Sequence, residues 1–481
     1  MALFTDLPDE IVEHILLLTN LQSVLRCQQL SKHLHDLIRD SLPLRYKIEL
    51  AVDGLEDDSL GLGGMPTAGR LEALLKRRHA RASGAFSTIK TFSKELNAVW
   101  AFSGGHIAME SHDSQGSKCT NVMQIPSTAR GVPEKSWSIP IPSFRLLRYL
   151  AIDPEQDLLT VGEFPDETQQ LSYLRVHSIQ LSTGYPHPGS QHARELCWDI
   201  FDDTGQTFQT FDYCFLTSRL IVIVHEIQHV RFALSVVDLP ALRTKTTSST
   251  TDFDYICRFL FPDPSEYEVR EGYACHLQLH CEPPRCDLSG TARIPYRSGL
   301  ERILVFSIHF TSGGSDPLDT FTLIPMSIIM RFIDGASSLK TTFSWEDWGP
   351  NNTHTHAPRA AVPFFPHPSG TSVVLDQTYP NYSAALGVGD TLIRMALYDF
   401  GQVGARKTSL DISQGIITPN VRYAPAIERH GSDYRFQEDA VMTTLPARIT
   451  ALELDLGYFD SDLHHIHLGE DCVLLHFEVR I

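Results

Sequence analysis

The stretch Leu7-Pro8-Asp9-Glu10-Ile11, continuing through Ile15-Leu16 to Leu30-Ser31-Lys32-His33-Leu34, decides the fold of the N-terminal region. Asp6 is placed to cap a first helix, and Pro8 falls in its first turn, where a missing N–H is tolerated. Aliphatic residues then recur at helical spacing in short segments. Three such helices within roughly 45 residues bury little apolar surface. The pattern therefore predicts a small helical unit whose remaining apolar surface binds a partner.

This run resembles the F-box, the adaptor-binding module of cullin-type ubiquitin ligases. The resemblance rests on the L-P-x-E-I start and its spacing to Ile15-Leu16, Val24-Leu25 and Leu30-Ser31. The segment from Leu44 to Gly54 resembles the post-box segment of a large group of fungal F-box proteins. An ordinary N-terminal helical hairpin is the alternative. By the resemblance, a Skp-type adaptor docks on a surface formed or supported by Leu7, Pro8, Ile11, Ile15, Leu16, Val24, Leu25 and Leu30.

Composition and charge restrict the class of partner. The 481 residues are 42% hydrophobic and 20% charged, an ordinary balance for a globular chain with a sizeable core. A net charge of −18 disfavours nucleic acid, whose phosphates are repelled by the mean field. The strongest apolar run, residues 220–224, is too short to span a bilayer. The first ten residues have neither a basic segment nor an apolar core, so we expect no secretory signal. We expect a cytoplasmic or nuclear protein with reduced cysteines and no membrane partner.

From about residue 90 onward the apolar period changes from helical to alternating. Short strand patterns, such as 98–102, Phe215 to Val224 and Phe321 to Phe332, are separated by Gly, Pro and Asp turns, and no long helical pattern interrupts them. Roughly 390 residues of such strands exceed one sandwich or small barrel. At roughly 45 to 55 residues per blade, a β-propeller of seven or eight blades fits. The WD-like run Trp345-Glu346-Asp347-Trp348 is isolated, so this prediction rests on length and pattern.

The fold class predicted is therefore α+β multidomain, a short helical F-box followed by a large all-β domain. The expected division is an F-box at residues 1–48, a linker and helix at 49–89, and the propeller-like domain at 90–481. Two stacked β-sandwiches are the structural alternative.

The connecting segment is predicted to begin as an acidic, glycine-rich loop from Glu56 to Pro66. A basic amphipathic helix follows over Arg70 to Arg81. We interpret its charged side, Lys76-Arg77-Arg78, as a solvent-exposed face rather than a nucleic-acid or membrane surface.

One motif has to be weighed as catalytic, His225-Glu226-Ile227-Gln228-His229. On a helix, H-E-x-x-H brings two imidazoles together to bind zinc, with the Glu acting on a bound water. Here β-forming residues flank the motif on both sides, which predicts strand–turn–strand geometry in which the imidazoles need not converge. A zinc hydrolase therefore stays a remote alternative.

A second cluster runs from Cys275-His276 through His280-Cys281 to Cys286. In an extended strand its cysteines share one face with leucines and its histidines share the other. That arrangement favours a core-facing stripe over a metal site. We expect no catalytic residue, no metal and no cofactor in this chain.

The functional hypothesis is a substrate-recognition adaptor of an SCF-like ubiquitin ligase. The F-box docks the Skp-type adaptor, and through it a cullin ligase, while the β domain holds a protein substrate. Catalysis in such an assembly is proximity, so the chain itself is not an enzyme. A non-degradative propeller scaffold that carries an F-box is the competing hypothesis.

Overall fold

The computed structural model describes most of the helical region and the strands that follow it. The described residues are 7–57, 65–83, 100–113, 115–127, 132–140, 147–163, 173–188, 196–199, 211–217, 219–227, 231–238, 255–262, 274–282, 295–299, 301–311, 318–336, 340–356, 367–378, 392–416, 420–424, 445–455, 461–468 and 473–479.

The N-terminal region is a small group of helices: α1 (Asp9–Leu18), α2 (Leu21–Gln28), α3 (Lys32–Asp40) and α4 (Leu42–Val52). Polar side chains cap three of the starts by accepting a backbone N–H, with Asn20 serving α2, Ser31 serving α3 and Ser41 serving α4. Pro8 occupies the N-cap position of α1 rather than its first turn. The predicted cap Asp6 lies outside the described residues.

The helices enclose one small hydrophobic core. Its members lie at helical spacing on their elements, so each helix turns a single apolar face inward. They are Val12, Leu16, Val24, Leu34, Ile38 and Leu44. The predicted three short helices are confirmed. Helix α4 packs on them through Leu44 and on α5 and β15 through Tyr46 and Leu50, so it connects the helical unit to the rest of the molecule.

Helix α5 (Thr67–Ser83) and strand β1 (Leu55–Asp57) connect this unit to the β region. Strand β1 pairs antiparallel with β15 (Tyr296–Ser298), which lies about 240 residues further along the chain. The acidic loop predicted from Glu56 therefore begins as a paired strand. Leu71 and Leu74 of α5 are buried against α4 and β15, as the apolar side of the predicted helix requires.

The first three sheets of the β region follow each other in chain order. Sheets I and II are four-stranded and antiparallel, and sheet III gains a fifth strand that runs parallel to its neighbour. Their strands are β2 (Trp100–Ser103), β3 (His106–His112), β4 (Lys118–Gln124) and β5 (Lys135–Pro140) in sheet I; β6 (Leu147–Asp153), β7 (Leu158–Glu163), β8 (Tyr173–Gln180) and β9 (Leu196–Asp199) in sheet II; β10 (Phe211–Phe215), β11 (Leu220–Ile227), β12 (Arg231–Asp238), β13 (Cys257–Leu260) and β18 (Thr341–Phe343) in sheet III.

Two further four-stranded sheets and a hairpin complete the described strands. They are β14 (Ala274–Cys281), β16 (Ile303–Thr311), β17 (Leu318–Pro325) and β19 (His354–His356) in sheet IV; β20 (Ser372–Thr378), β21 (Leu392–Asp399), β22 (Val421–Ala424) and β23 (Ala447–Asp455) in sheet V; β24 (Ser461–Leu468) and β25 (Val473–Val479) in sheet VI.

Helices also occur within the β region, which corrects the expectation of an all-β domain. They are α6 (Met326–Gly335), α7 (Trp345–Trp348) and α8 (Gln402–Ser413). The strand predicted over Phe321 to Phe332 is wrong beyond Pro325, because Pro325 ends β17 and stands at the N-cap of α6. Met326 and Ile329, one helical turn apart, are the residues of α6 that become buried.

Neighbouring sheets share hydrophobic cores. One core joins sheets I and II, a second joins III and IV, and a third joins IV and V. Sheets II and III are linked by a hydrogen bond of 3.2 Å that the hydroxyl of Tyr213 donates to Oγ1 of Thr160. The structure therefore confirms a helical N-terminal unit followed by a large, mostly β region in several sheets. The closed propeller stays a prediction.

Candidate adaptor-binding surface

The predicted docking residues separate by exposure into those that line the surface and those that support it. Pro8, Ile11 and Leu30 are exposed, with 48% of Ile11 and 73% of Leu30 accessible. Leu16 and Val24 are buried in the helical core. Each of these two can therefore act only by holding the helices in place.

Leu7, Ile15 and Leu25 are the remaining members of the set, and all three are half-buried. They lie between the exposed residues and the core, so each keeps part of its side chain available to a partner. The structure thus places six of the eight predicted residues where a partner can reach them.

Sequence reasoning missed Leu18, the most exposed large apolar residue described, at 77%. Together with Ile11 and Ile15 it forms a stripe at positions i, i+4 and i+7 of α1. The signal was present in the run Leu16-Leu17-Leu18, because a single helix face cannot bury three consecutive leucines. Leu42, 41% exposed at the start of α4, was also missed.

Lys47 of α4 fixes the end of the helix that carries this stripe. Its ammonium group donates to the carbonyl oxygens of Leu16, at 3.3 Å, and Leu17, at 2.7 Å, and also to that of Thr19. These carbonyls lie at the C-terminal end of α1, where a helix cannot supply the usual N–H donors from the following turn. That of Leu16 also accepts the N–H of Thr19 at 3.3 Å and its hydroxyl at 2.9 Å. Burial lowers the pKa of Lys47 from its ordinary value. The charge at this position stabilises the helix end, since a cation is favoured there.

The basic side of α5 contacts the helical unit, contrary to the expected solvent-exposed face. Arg78 donates to Oε2 of Glu49 at 2.6 Å and, through Nε, to both carboxylate oxygens of Asp53 at 3.0 Å. The guanidinium of Arg77 lies 5.6 Å from the ring centroid of Tyr296. Of the predicted run, only Lys76 is exposed. Amphipathic spacing could not reveal this, because the carboxylate partners are distant in sequence.

The H-E-x-x-H motif does not form a helical zinc site in the described residues. His225 lies on β11 and is buried, with Nε2 2.9 Å from Oγ of Ser235. His229 lies outside the described residues. The strand predicted for the first half of the motif is confirmed.

The second cluster lies on β14, as predicted from its alternation. Leu277 and Leu279 are buried, and burial lowers the pKa of His280 to about 4. Burial also raises the pKa of Cys281 to about 11. Cys286 lies outside the described residues. Within the described ranges, no group of three or more His, Cys, Asp or Glu side chains is arranged to hold a metal ion.

Comparisons with known proteins identify a family for the helical unit. The F-box domain family matches residues 4–46. No curated protein matches the chain. Among solved structures, an uncharacterized protein from Listeria monocytogenes EGD-e shares 10% sequence identity with a TM-score of 0.27, over 64% of this chain and 82% of that one. Among the described helices, none is long and apolar enough to cross a membrane.

Proposed function

We propose that this chain, whose residues 4–46 match the F-box domain family, is the substrate-recognition adaptor of an SCF-like cullin ubiquitin ligase. The observation that carries the proposal is the apolar stripe of α1, formed by Ile11, Ile15 and Leu18, which the rest of the described chain leaves accessible. Contiguous exposed apolar patches on a folded surface mark sites of association, whereas single exposed apolar residues do not. The stripe and the neighbouring Leu7, Pro8 and Leu30 dock a Skp-type adaptor.

The β region supplies the other half of the proposed function, the binding of a target protein. Ubiquitin transfer then occurs because target lysines are held near a thioester carried elsewhere in the ligase, which raises their effective concentration. No group of this chain takes part in the chemistry, and the chain needs no cofactor.

We further propose that the β region, residues 90–481, is a propeller, joined to the F-box of residues 1–48 through residues 49–89. Supporting this proposal, the first strands of neighbouring sheets contact each other, β2 with β6, β10 with β14 and β20 with β24. Radial packing brings the first strands of successive blades together around an axis and leaves only short edges. Stacked β-sandwiches are the alternative architecture.

The docking proposal is tested with the double variant Leu7→Ala/Pro8→Ala in the full chain. It removes an apolar anchor and the constraint at the start of α1, and hot-spot residues typically cost about 2 kcal/mol or more each. We expect loss of adaptor capture in a pull-down with purified Skp-type adaptor. Ile11→Asp, which changes an exposed side chain outside the helical core, should give the same loss.

Leu410→Asp is the matched control, because Leu410 of α8 is 55% exposed but lies outside the F-box. The proposal fails if the double variant and Ile11→Asp both retain parental capture. Affinity capture from cells with and without proteasome inhibition then separates a degradative adaptor from a scaffold: targets of the former accumulate on inhibition, and partners of the latter do not.

A further inference from the structure

Helix α8, an insertion in sheet V, lies along α4 of the F-box region. A Cβ atom on Gly404 would stand 2.5 Å from the carbonyl oxygen of Val52, so only glycine permits this approach. One turn further along α8, Nζ of Lys407 lies 3.1 and 3.2 Å from the carboxylate oxygens of Glu49. Gly404 lies beside Val52, and Lys407, further along α8, lies beside Glu49, which is earlier in α4. The two helices therefore run antiparallel in close contact.

Arg448 of β23 connects the C-terminal end of α4 to sheet V. Its Nη2 lies 3.5 Å from Oδ1 of Asp53 and 2.5 Å from Oδ2 of Asp399. Asp399 also accepts the hydroxyl of Thr371 at 2.8 Å and the N–H of Gly401 at 3.0 Å. The side chains of Asp53 and Asp399 are almost completely buried, so solvent screens these interactions little.

The charges of this cluster are mutually stabilised. Burial raises the pKa of Asp399, but Arg448, the N–H of Gly401, Arg81 and Thr371 outweigh it, and the pKa lies below its ordinary value. Burial likewise raises the pKa of Glu49, and Lys407 and Arg78 reverse that effect. The groups therefore stay ionised at neutral pH.

Backbone contacts tie the same region together at a second place. The N–H of Gly299 donates to the carbonyl of Gly54 at 2.8 Å, directly beside the pairing of β1 with β15. The hydroxyl of Tyr46 donates to the carbonyl of Pro295 at 2.9 Å. The chain that leaves the F-box is thus held on one side by sheet V and on the other by β15.

From these contacts we infer that the F-box and the β region form one rigid unit, whose mutual orientation is set by a junction network of Glu49, Asp53, Arg78, Asp399, Lys407 and Arg448. In the adaptor role proposed above, on which the functional half of this inference rests, these are positioning residues. They fix the direction in which a bound target faces the ligase. A flexible connection would spread the target over many positions and lower its effective concentration.

The experiment measures the distance distribution between two dyes in the full chain by single-molecule energy transfer. The dyes are attached through unnatural amino acids at His14 of α1 and Ser136 of β5, both exposed. Gly404→Leu wedges α8 away from α4, and Lys407→Glu places a like charge beside Glu49. We expect one narrow distribution in the parent and a broader one in each variant, with adaptor affinity unchanged within about twofold.

Matched controls separate the junction from general damage. Gly335 ends helix α6, and no described atom lies within 4 Å of the place a Cβ atom would take there, so Gly335→Leu should keep the narrow distribution. Lys118 lies 2.9 Å from Glu110 and is 34% exposed, against 38% for Lys407, so Lys118→Glu tests an equivalent pair elsewhere. Lys407→Arg should restore the parental result.

A second readout uses the ligase assembled from purified components, with the chain's own lysines as acceptors. Ubiquitin should be attached to a restricted set of lysines in the parent. In the Gly404→Leu variant it should be attached to a wider set. A broad distribution in the parent, or parental distributions in both Gly404→Leu and Lys407→Glu, would overturn the inference. Failure of the parent to bind the adaptor would instead overturn the proposed function, since the distance measurement does not need the adaptor.

Discussion

At the scale of single residues, the half-buried Asp212 is the carboxylate with the clearest physical consequence. It lies on β10, and its oxygens accept the N–H of Leu279 of sheet IV and of Tyr213, both at 2.8 Å. Burial raises its pKa to about 7, against the opposing effect of the two N–H donors. The folded chain therefore binds a proton at this group more tightly than the unfolded chain does, and parental stability falls as pH rises from about 4 to 7.

We predict that Asp212→Asn removes this pH dependence. Relative to the parent, the variant should gain on the order of 2–4 kcal/mol in free energy of unfolding between pH 4 and 8, levelling off above pH 7. The variant also loses one of the two acceptor oxygens. The resulting loss in free energy of unfolding does not depend on pH, so it shifts the plot of stability against pH without changing its shape. Denaturant unfolding at several pH values measures the difference.

Asp113→Asn is the control for this prediction. Asp113 is exposed, and its Oδ1 accepts the N–H groups of Gln115 and Ser117, both at 2.8 Å, so it shares the bonding pattern without the burial. A flat difference between parent and Asp212→Asn across this pH range would contradict the assignment.

At the scale of elements, α7 joins sheets III and IV through its tryptophans. The chain leaves sheet IV after β17, adds β18 to sheet III, forms α7 and returns as β19. Trp348 is fully buried and donates its indole N–H to the carbonyl of Leu260 at 3.0 Å. Trp345 and Trp348 both pack on Phe261. The WD-like run is thus a capped helical turn rather than a repeat mark.

We predict that Trp348→Ala lowers the free energy of unfolding of the β region by about 3–5 kcal/mol, because a large cavity opens between two sheets. Trp137→Ala is the comparison. Trp137 also donates its N–H to a backbone carbonyl, that of Leu181 at 2.7 Å, but it is only half-buried. Thermal melting of both variants measures which one loses more stability. If Trp348→Ala lost no more stability than Trp137→Ala, the role given to α7 would be wrong.

The elements that sequence reasoning found are those set by local chemistry. Aliphatic residues at helical spacing and caps such as Ser31 predicted the helices, and period-two runs predicted strands such as β11. The turn from β17 into α6 escaped because Phe321 to Phe332 is apolar for most of its length, and an apolar run fits a strand and a helix equally well. The partners of Arg78 and Lys407 escaped for another reason. Glu49 and Lys407 are 358 residues apart, and no short window contains both.

At the scale of the whole molecule, the proposed closed propeller predicts that the C-terminal strands are essential. In a closed propeller the last strands lie beside the first, here β2, and leave no free edge. We predict that removing residues from Asp471 onward, which deletes β25, collapses or aggregates the β region, although most proteins tolerate a terminal trim. Adaptor capture by the truncated chain should persist, because the F-box has a core of its own.

Solubility and thermal melting of the truncated chain provide the measurement. A chain that stays soluble and melts like the parent would exclude the closed ring and favour stacked sandwiches. A truncation that removes only the last two residues, after Val479, is the control, since it leaves β25 complete.

The long sequence separations across the junction have a consequence for synthesis on the ribosome. The core of α1–α4 is complete once residue 44 has emerged, whereas Arg448 is synthesised 395 residues after its partner Asp53. At roughly 5–20 residues per second, the F-box is folded for tens of seconds before the orienting contacts exist. We therefore expect nascent chains stalled just after Arg81 to bind the proposed adaptor in a pull-down. Recruitment of the adaptor would then precede synthesis of the surface proposed to select a target.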